Sequence, residues 1–462
     1  MKKRILEHMF AFALVLSMIL CGCGQTANTG SGAGSDKAAG AMPDQQDSQQ
    51  EGSKAAEYEQ PEMKGEITIA TVYDQEFLNI AAQNFMKEYP DVKVDIHVAV
   101  DDISTNYGGF GEYRNELNTK IMSGKAEDIL FTTSIPIKKY MDMGVFEDLS
   151  GYLATTPQMD EDHYFMNVLK SAEDKNGHTY ILPFQCSFQI LSFEGKIIGQ
   201  AAPPKTEGAI RFSEAAAFAK QCMDEAKVKN SYLTLIGPDG YIQRLVDEYW
   251  DTLIDEDAKT ANINADQYIN WLNEVNELKN KGYFNPAGLN FYNTKYYFAM
   301  DTDFDQQAAF YNLYEDSDSD TCMGMPIADE KGNVFTSSGQ CLAINSASEN
   351  KALAWEFIRY MLSEKMQSQP SLYGLAVNKD AFPTSAERCL KLYTDGTKSM
   401  VSSEEYQALL KKWINCISKC SIRDSMILNY FGEENEKFFD GKQTAEQTAQ
   451  NIQNKVTQYL KE

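Results

Sequence analysis

The sequence predicts an α/β protein built on at least two hydrophobic cores, and three observations predict it. Residues 66–98 read strand, helix, strand: Ile67-Thr68-Ile69-Ala70-Thr71-Val72, then Gln75 to Tyr89, then the alternating Val92, Val94, Ile96 and Val98. Much later, the apolar run Cys341-Leu342-Ala343-Ile344, bounded by Gly339 and Asn345, precedes an amphipathic helix in which Leu353, Phe357 and Met361 recur every four residues. A chain of 462 residues also exceeds what one core organises.

Taken in order, the chain opens with Lys2-Lys3-Arg4, followed by a run from Met9 to Leu20 that is apolar except for Ser17. Twelve such residues are too few to span a bilayer, so residues 1–22 read as an export signal. Leu20-Cys21-Gly22-Cys23 resembles a bacterial lipobox. That resemblance implies that Cys23 carries the lipid anchor and that the folded body stands on the outer face of the cytoplasmic membrane. Residues 23–62 are Gly, Ser, Ala, Gln and Asp with almost no large apolar side chain, the composition of a flexible tether.

Order begins at Glu66. The helix from Gln75 to Tyr89 carries Phe77, Ala81, Phe85 and Tyr89 on one face and is ended by Pro90, so the first unit is βαβ with a parallel sheet. A third strand is expected at Asp128-Ile129-Leu130-Phe131. Helices are expected near Ser213 to Met223 and from Ala265 to Lys281, the latter stopped by Gly282, and strands at Tyr232 to Ile236 and Phe298-Ala299-Met300. The helix behind Ile344 has Ser346 or Ser348 as its expected cap, with Lys351, Glu356 and Arg359 off its apolar face. The last helix starts with Thr444 and Gln447 as a capping box and aligns Ala445, Ala449, Ile452, Val456 and Tyr459.

The formal charge of −25 falls to −27 once Lys2, Lys3, Arg4 and Glu7, worth +2, are removed with the leader. So acidic a surface repels nucleic acid and anionic headgroups, and neither is an expected partner beyond the anchor itself. Of nine cysteines, seven lie beyond Cys23 and have no ligand spacing; Cys416 and Cys420 are placed one helical turn apart, where a disulfide would strain a helix. The sequence has no G-x-S-x-G, H-E-x-x-H or phosphate-loop motif, and His97, His163 and His178 stand apart from one another. Two acidic runs, Asp301, Asp303, Asp305 and Asp316, Asp318, Asp320, lack the Gly and the twelfth-position Glu of a calcium loop. The expectation is a binder without catalytic residues, metal or cofactor.

The stretch from Met323 to Glu364, above all A-I-N-S-A-S-E-N-K-A-L-A-W-E-F-I, resembles the return segment of family 1 extracellular solute-binding proteins of ABC importers, the branch that includes maltodextrin binders. Asp128 to Phe131, Tyr140 to Tyr152 and Tyr180-Ile181-Leu182-Pro183-Phe184 resemble further landmarks of that family. The resemblance implies a two-lobed, periplasmic-binding-protein-like α/β fold of type II with three interlobe crossings. Its first lobe would comprise 63–183 plus 327–379 and its second 184–322 plus 384–462. It implies a monomer that captures a small polar solute, a mono- or oligosaccharide, and delivers it to ABC permease subunits. The alternatives are a surface carbohydrate hydrolase and a module presenting ligand to a sensor.

By that resemblance the ligand contacts fall on loops at strand ends: Tyr73 and Asp74; Thr132, Thr133 and Ser134; Gln185 and Ser187; Asp303 and Phe304; Asn429 and Tyr430. No Trp stands near Thr132, where maltodextrin binders carry a stacking one, and this departure favours another glycan or a different polar solute.

Overall fold

Alternating β-branched residues build the first strand, β1 (Gly65–Tyr73), whose Ile67 and Ile69 are fully buried. In this computed structural model the described residues are 58–100, 109–194, 208–226, 228, 231–234, 236–285, 295–301, 321–394 and 402–461. The expected signal, Cys23 and the tether up to residue 57 lie outside them, as do Asp303 and Phe304 and most of both acidic runs.

Helix α1 (Glu76–Glu88) turns Phe77, Leu78, Ala81, Ala82 and Phe85 inward and returns the chain to β2 (Val92–Val100), which pairs in parallel with β1. After α2 (Gly109–Met122), β3 (Ile129–Phe131) joins β1 on its other side, also in parallel. Three short helices follow: α3 (Ile137–Asp142), α4 (Ser150–Thr155) and α5 (Met166–Leu169). Strand β4 (Leu182–Pro183) closes this part of the chain. The first sheet has the order β2-β1-β3-β13-β4, where β13 (Cys341–Ile344) arrives from far along the chain and runs antiparallel to both neighbours.

Past Phe184 the chain enters a second sheet at β5 (Ile190–Glu194). The elements of this part are β6 (Ile210–Arg211), α6 (Phe212–Ala226), β7 (Ser231–Thr234), α7 (Pro238–Glu248) and α8 (Trp250–Leu253). A hairpin of β8 (Ile254–Asp255) and β9 (Thr260–Ala261), α9 (Asp266–Asn280) and β10 (Lys295–Asp301) come next. Strands β11 (Thr321–Ala328) and β12 (Val334–Ser337) belong to the same sheet. The expected return to the first lobe at residue 327 is therefore too early: the chain re-enters the first sheet only at Cys341, after one tight 3-10 turn at Ser338–Gln340. The apolar wording of 323–327 was compatible with either sheet, because hydrophobic runs do not name their pairing partner.

Behind β13 comes α10 (Lys351–Met361), buried on nearly every side. Glu356, expected on its polar flank, is instead 2% exposed and held by Arg359 at 2.6 Å. The expected Ser cap is indirect: the helix N-cap is Asn350, and the Ser348 hydroxyl accepts from the Asn350 N–H while donating to Asp128. Then follow α11 (Glu364–Gln367), α12 (Phe382–Thr394), α13 (Ser403–Ile414) and β14 (Ile417–Ser421), which pairs in parallel with β12. Cys416 follows the end of α13 and Cys420 sits in β14, so the two do not share a helix as expected. The second sheet has the order β14-β12-β11-β5-β10-β7, with β6 beside β11.

The chain ends in α14 (Ser425–Phe439) and α15 (Ala445–Lys461), whose Ile427, Phe431, Ala449, Ile452 and Val456 complete the core under the second sheet. The capping box forms as expected: Thr444 N–H donates to Gln447 Oε1 at 2.9 Å, and Gln447 N–H to Thr444 Oγ1 at 3.2 Å. A separate core, with Ala70, Leu130, Tyr140, Ile181 and Ala343, lies under the first sheet. Separate cores under the two sheets fit the size argument made from chain length.

Candidate functional site

The residues expected at strand ends divide into two groups. Thr132 is 2% exposed; its hydroxyl lies 2.5 Å from the Ser338 carbonyl and 3.0 Å from that of Cys341. Thr133 Oγ1 donates to the Gly339 carbonyl at 2.6 Å. Gln185, also buried, accepts from the Gly374 N–H, and Gly374 approaches so closely that a Cβ there would stand 2.9 Å from Gln185 Cδ. The Ser187 carbonyl accepts from Ser337 N–H and Thr336 Oγ1. These side chains and backbone groups tie down the passages between the sheets. A buried hydroxyl or amide needs such partners, and the local sequence does not reveal that the partner is a distant passage.

The second group is more open. Asp74 is exposed and accepts from Asn79 at 2.7 Å, while Tyr73 is partly buried against the first core. Ser134 holds a positive φ of 63° just before α3. Asn429 and Tyr430 lie in the second turn of α14, with Tyr430 edge-on to Tyr459 at 6.1 Å.

A pocket of about 420 Å³ brings the two parts of the chain together. On one side, Arg114, Asn115 and Asn118 of α2 and Lys139 and Tyr140 of α3 form its wall; on the other stand Asp424, Met426 and Tyr459. Met122 and Met143, both largely exposed, sit at its edge. Arg114 reaches across to Ser425 Oγ at 3.3 Å, and Lys139 Nζ stands 5.7 Å from the centre of the Tyr459 ring. Sequence reading missed this set. Arg114, Asn115 and Asn118 share a helix face at i, i+1, i+4 spacing, which was the available signal, but Tyr459 reads as core because it continues an apolar stripe.

Asp424 is the hub on the second side. Its Oδ1 caps α14 by accepting from the Met426 N–H at 2.8 Å, and its Oδ2 accepts from the Tyr459 hydroxyl at 2.7 Å. Burial, and then that hydrogen bond to a carboxylate, push the Tyr459 hydroxyl well above its ordinary pKa. Burial likewise lifts Tyr140 to about 12, and it donates to Asn118 Oδ1 at 2.6 Å. Both phenols keep their single proton and have already donated it within the protein, so toward a ligand each can offer only an acceptor oxygen and the ring.

Beside the pocket, the β8–β9 hairpin touches the first part of the chain: Asp257 pairs with Lys175 at 2.7 Å and with Lys138 at 3.4 Å. Its neighbour Glu256 is pushed up to about 7, first by burial and next by the Asp424 carboxylate, with Asp142 adding to this and Lys138 and the Trp250 side chain opposing it. A carboxyl raised in the folded state binds its proton more tightly there than in the unfolded chain. Stability is therefore lost as pH rises from about 4.5 through about 7. Glu256→Gln is expected to stabilise the protein by about 1–3 kcal/mol at pH 8 and to change little at pH 4, read as unfolding midpoints across pH. An equal shift at both pH values would refute the burial of this carboxyl.

A second hollow, of about 540 Å³, is lined by Arg211, Glu214, Ala328, Lys331 and Val334 among others, all from the second sheet and its neighbours. It lacks a wall from the first part, so a ligand there could not bridge the two. Among the described residues, no group of three His, Cys, Asp or Glu could hold a metal ion, and no helix is long and apolar enough to cross a membrane.

Residues 70–368 match the family described as bacterial extracellular solute-binding protein. No curated protein sequence matches the chain. Among solved structures, the sugar-binding protein MalE from the phytopathogen Xanthomonas citri is similar, with TM-score 0.58 and 15% identity over 86% of this chain and 98% of that one. So is an ABC substrate-binding protein from Listeria monocytogenes in complex with cycloalternan, with TM-score 0.55, 16% identity and coverage of 86% and 99%. The cyclic alpha-maltosyl-1,6-maltose binding protein from Arthrobacter globiformis gives 0.55, 13%, 86% and 99%. At these identities the likeness establishes the fold, a mixed α/β architecture in two lobes.

Proposed function

The chain belongs to the family of bacterial extracellular solute-binding proteins, and from that membership we propose that it captures a mono- or oligosaccharide between its lobes and hands it to an ABC permease. Members of this family bind and release; they are not enzymes. The observation that carries the reading is the pocket whose walls come from both lobes, Arg114, Asn118 and Lys139 on one side and Asp424, Met426 and Tyr459 on the other.

A ligand touching both walls favours the closed arrangement, and only that difference in affinity can shift the equilibrium between open and closed. Tyrosine rings suit the C–H faces of a sugar, while Asn115, Asn118, Arg114 and Asp424 supply partners for hydroxyls that would otherwise be buried unpaired. Two similar structures are named for saccharides, cycloalternan and cyclic alpha-maltosyl-1,6-maltose, which supports the same solute class here. In this reading Tyr73, Asp74, Ser134, Asn429 and Tyr430 extend the contact surface beyond the pocket. Lipidation at Cys23 would keep the body at the outer face of the membrane beside the permease.

Screening the protein by thermal shift against saccharides, amino acids and peptides tests the proposal, because a ligand that binds only the folded state raises its melting temperature. At one hundred times its dissociation constant the correct saccharide adds about 2.7 kcal/mol. Shifts confined to amino acids or peptides would overturn the sugar assignment.

A further inference from the structure

Two buried thiols meet where the sheets meet. Cys341 opens β13 in the first sheet and Cys420 lies in β14 of the second, 79 residues later, yet their sulfurs are 3.9 Å apart. Both are buried, at 0% and 5% exposure. The contact follows from how the chain turns. Thr336 of β12 is in register with Cys420, and the 3-10 turn at Ser338–Gln340 brings Cys341 back so that its Sγ lies 3.7 Å from the Ser337 carbonyl. Cys420 is fixed from the other side by its N–H, which donates to the Ser171 carbonyl at 2.8 Å. Although β14 belongs to the second sheet, Cys420 packs into the core under the first.

We infer that Cys341 and Cys420 are a disulfide-forming pair, a covalent tie between the two sheets beside the passage that links them. Bonded sulfurs stand about 2.05 Å apart, so the thiols, 3.9 Å apart, must approach by roughly 2 Å, a movement of the scale that side-chain rotation supplies. The oxidant is a small-molecule or protein disulfide, R–S–S–R. One cysteine thiolate attacks it and expels RS⁻; the second cysteine thiolate then attacks the mixed disulfide and expels the other RS⁻. One S–S bond forms for the one broken, and the two cysteine protons end on two RSH. An extracellular protein meets such oxidants, whereas cytosolic proteins are kept reduced.

Burial, reinforced by Cys420 alongside, raises Cys341 far above an ordinary thiol, so the folded protein holds it protonated. Exchange requires a thiolate, so the bond forms while the chain is still folding and afterwards resists reduction.

The test is to refold the full chain in a reduced and oxidised glutathione buffer, alkylate it, digest it without reduction and map the peptides by mass spectrometry. The expected result is a peptide carrying Cys341 linked to one carrying Cys420. Reduction in denaturant followed by refolding without oxidant should lower the melting temperature by about 5 °C, and this difference should vanish in the C341A/C420A variant. Alkyl groups on both cysteines, or a bond from either to another cysteine such as Cys416, would overturn the inference. Should the double variant fail to fold, the peptide map of the unaltered chain decides. Because the buffer supplies the oxidant, the outcome depends on neither the ligand nor export.

Discussion

Replacing Trp355 by Ala is expected to lower the unfolding free energy by about 4 kcal/mol, a large fraction of the stability of an ordinary protein. The side chain is fully buried in α10, with its ring 5.2 Å from that of Tyr152. Its indole N–H donates to Thr156 Oγ1 at 2.9 Å, and Thr156 is itself buried. Truncation therefore opens a cavity and also strands a hydroxyl. Trp355→Phe separates the two effects: it keeps most of the packing, loses the hydrogen bond, and should cost about 1–2 kcal/mol. Denaturant unfolding monitored by circular dichroism measures both. A Trp355→Ala protein within 1 kcal/mol of the parent would show that the helix does not anchor the first lobe.

Tyr459→Ala should weaken capture of the saccharide ten- to a hundredfold, about 1.4–2.8 kcal/mol. The ring lies in the pocket wall with Lys139 over its face, and its hydroxyl orders Asp424, which in turn caps α14. Losing the ring removes a stacking surface and frees the carboxylate that should meet ligand hydroxyls. Tyr459→Phe retains the surface but loses the hydrogen bond that orders the Asp424 carboxylate, and should bind about threefold to tenfold more weakly. Titration calorimetry with the saccharide that raises the melting temperature reads both, with circular dichroism confirming the fold. If Tyr459→Ala binds within twofold of the parent, ligand is captured elsewhere in the cleft.

Much of the local architecture was legible. The period of Phe77, Ala81 and Phe85 gave α1, the run Ile67 to Val72 gave β1, alternation gave β2, and Thr444 with Gln447 gave the start of the last helix. The candidate site was legible only in outline. The residues expected there sit at strand ends, and of them Thr132 and Gln185 hold the passages, while Arg114, Asp424 and Tyr459 of the pocket were not among them. An arginine on a helix looks the same in sequence whether it faces solvent or a helix more than 300 residues away, as Arg114 faces Ser425.

By itself, the sequence determined the α/β class, the identity of most helices and strands, and the wording that marks the family. Those features rest on periodicity and capping, interactions within a few residues that the chain carries wherever it goes. Only the tertiary structure decided that β13 inserts between β3 and β4, that β11 and β12 stay with the second sheet, and that Cys341 lies against Cys420. Such neighbours are chosen by which packing of whole elements buries the most apolar surface at the least loop-closure entropy. That is a property of the assembled chain, and no short window of residues encodes it.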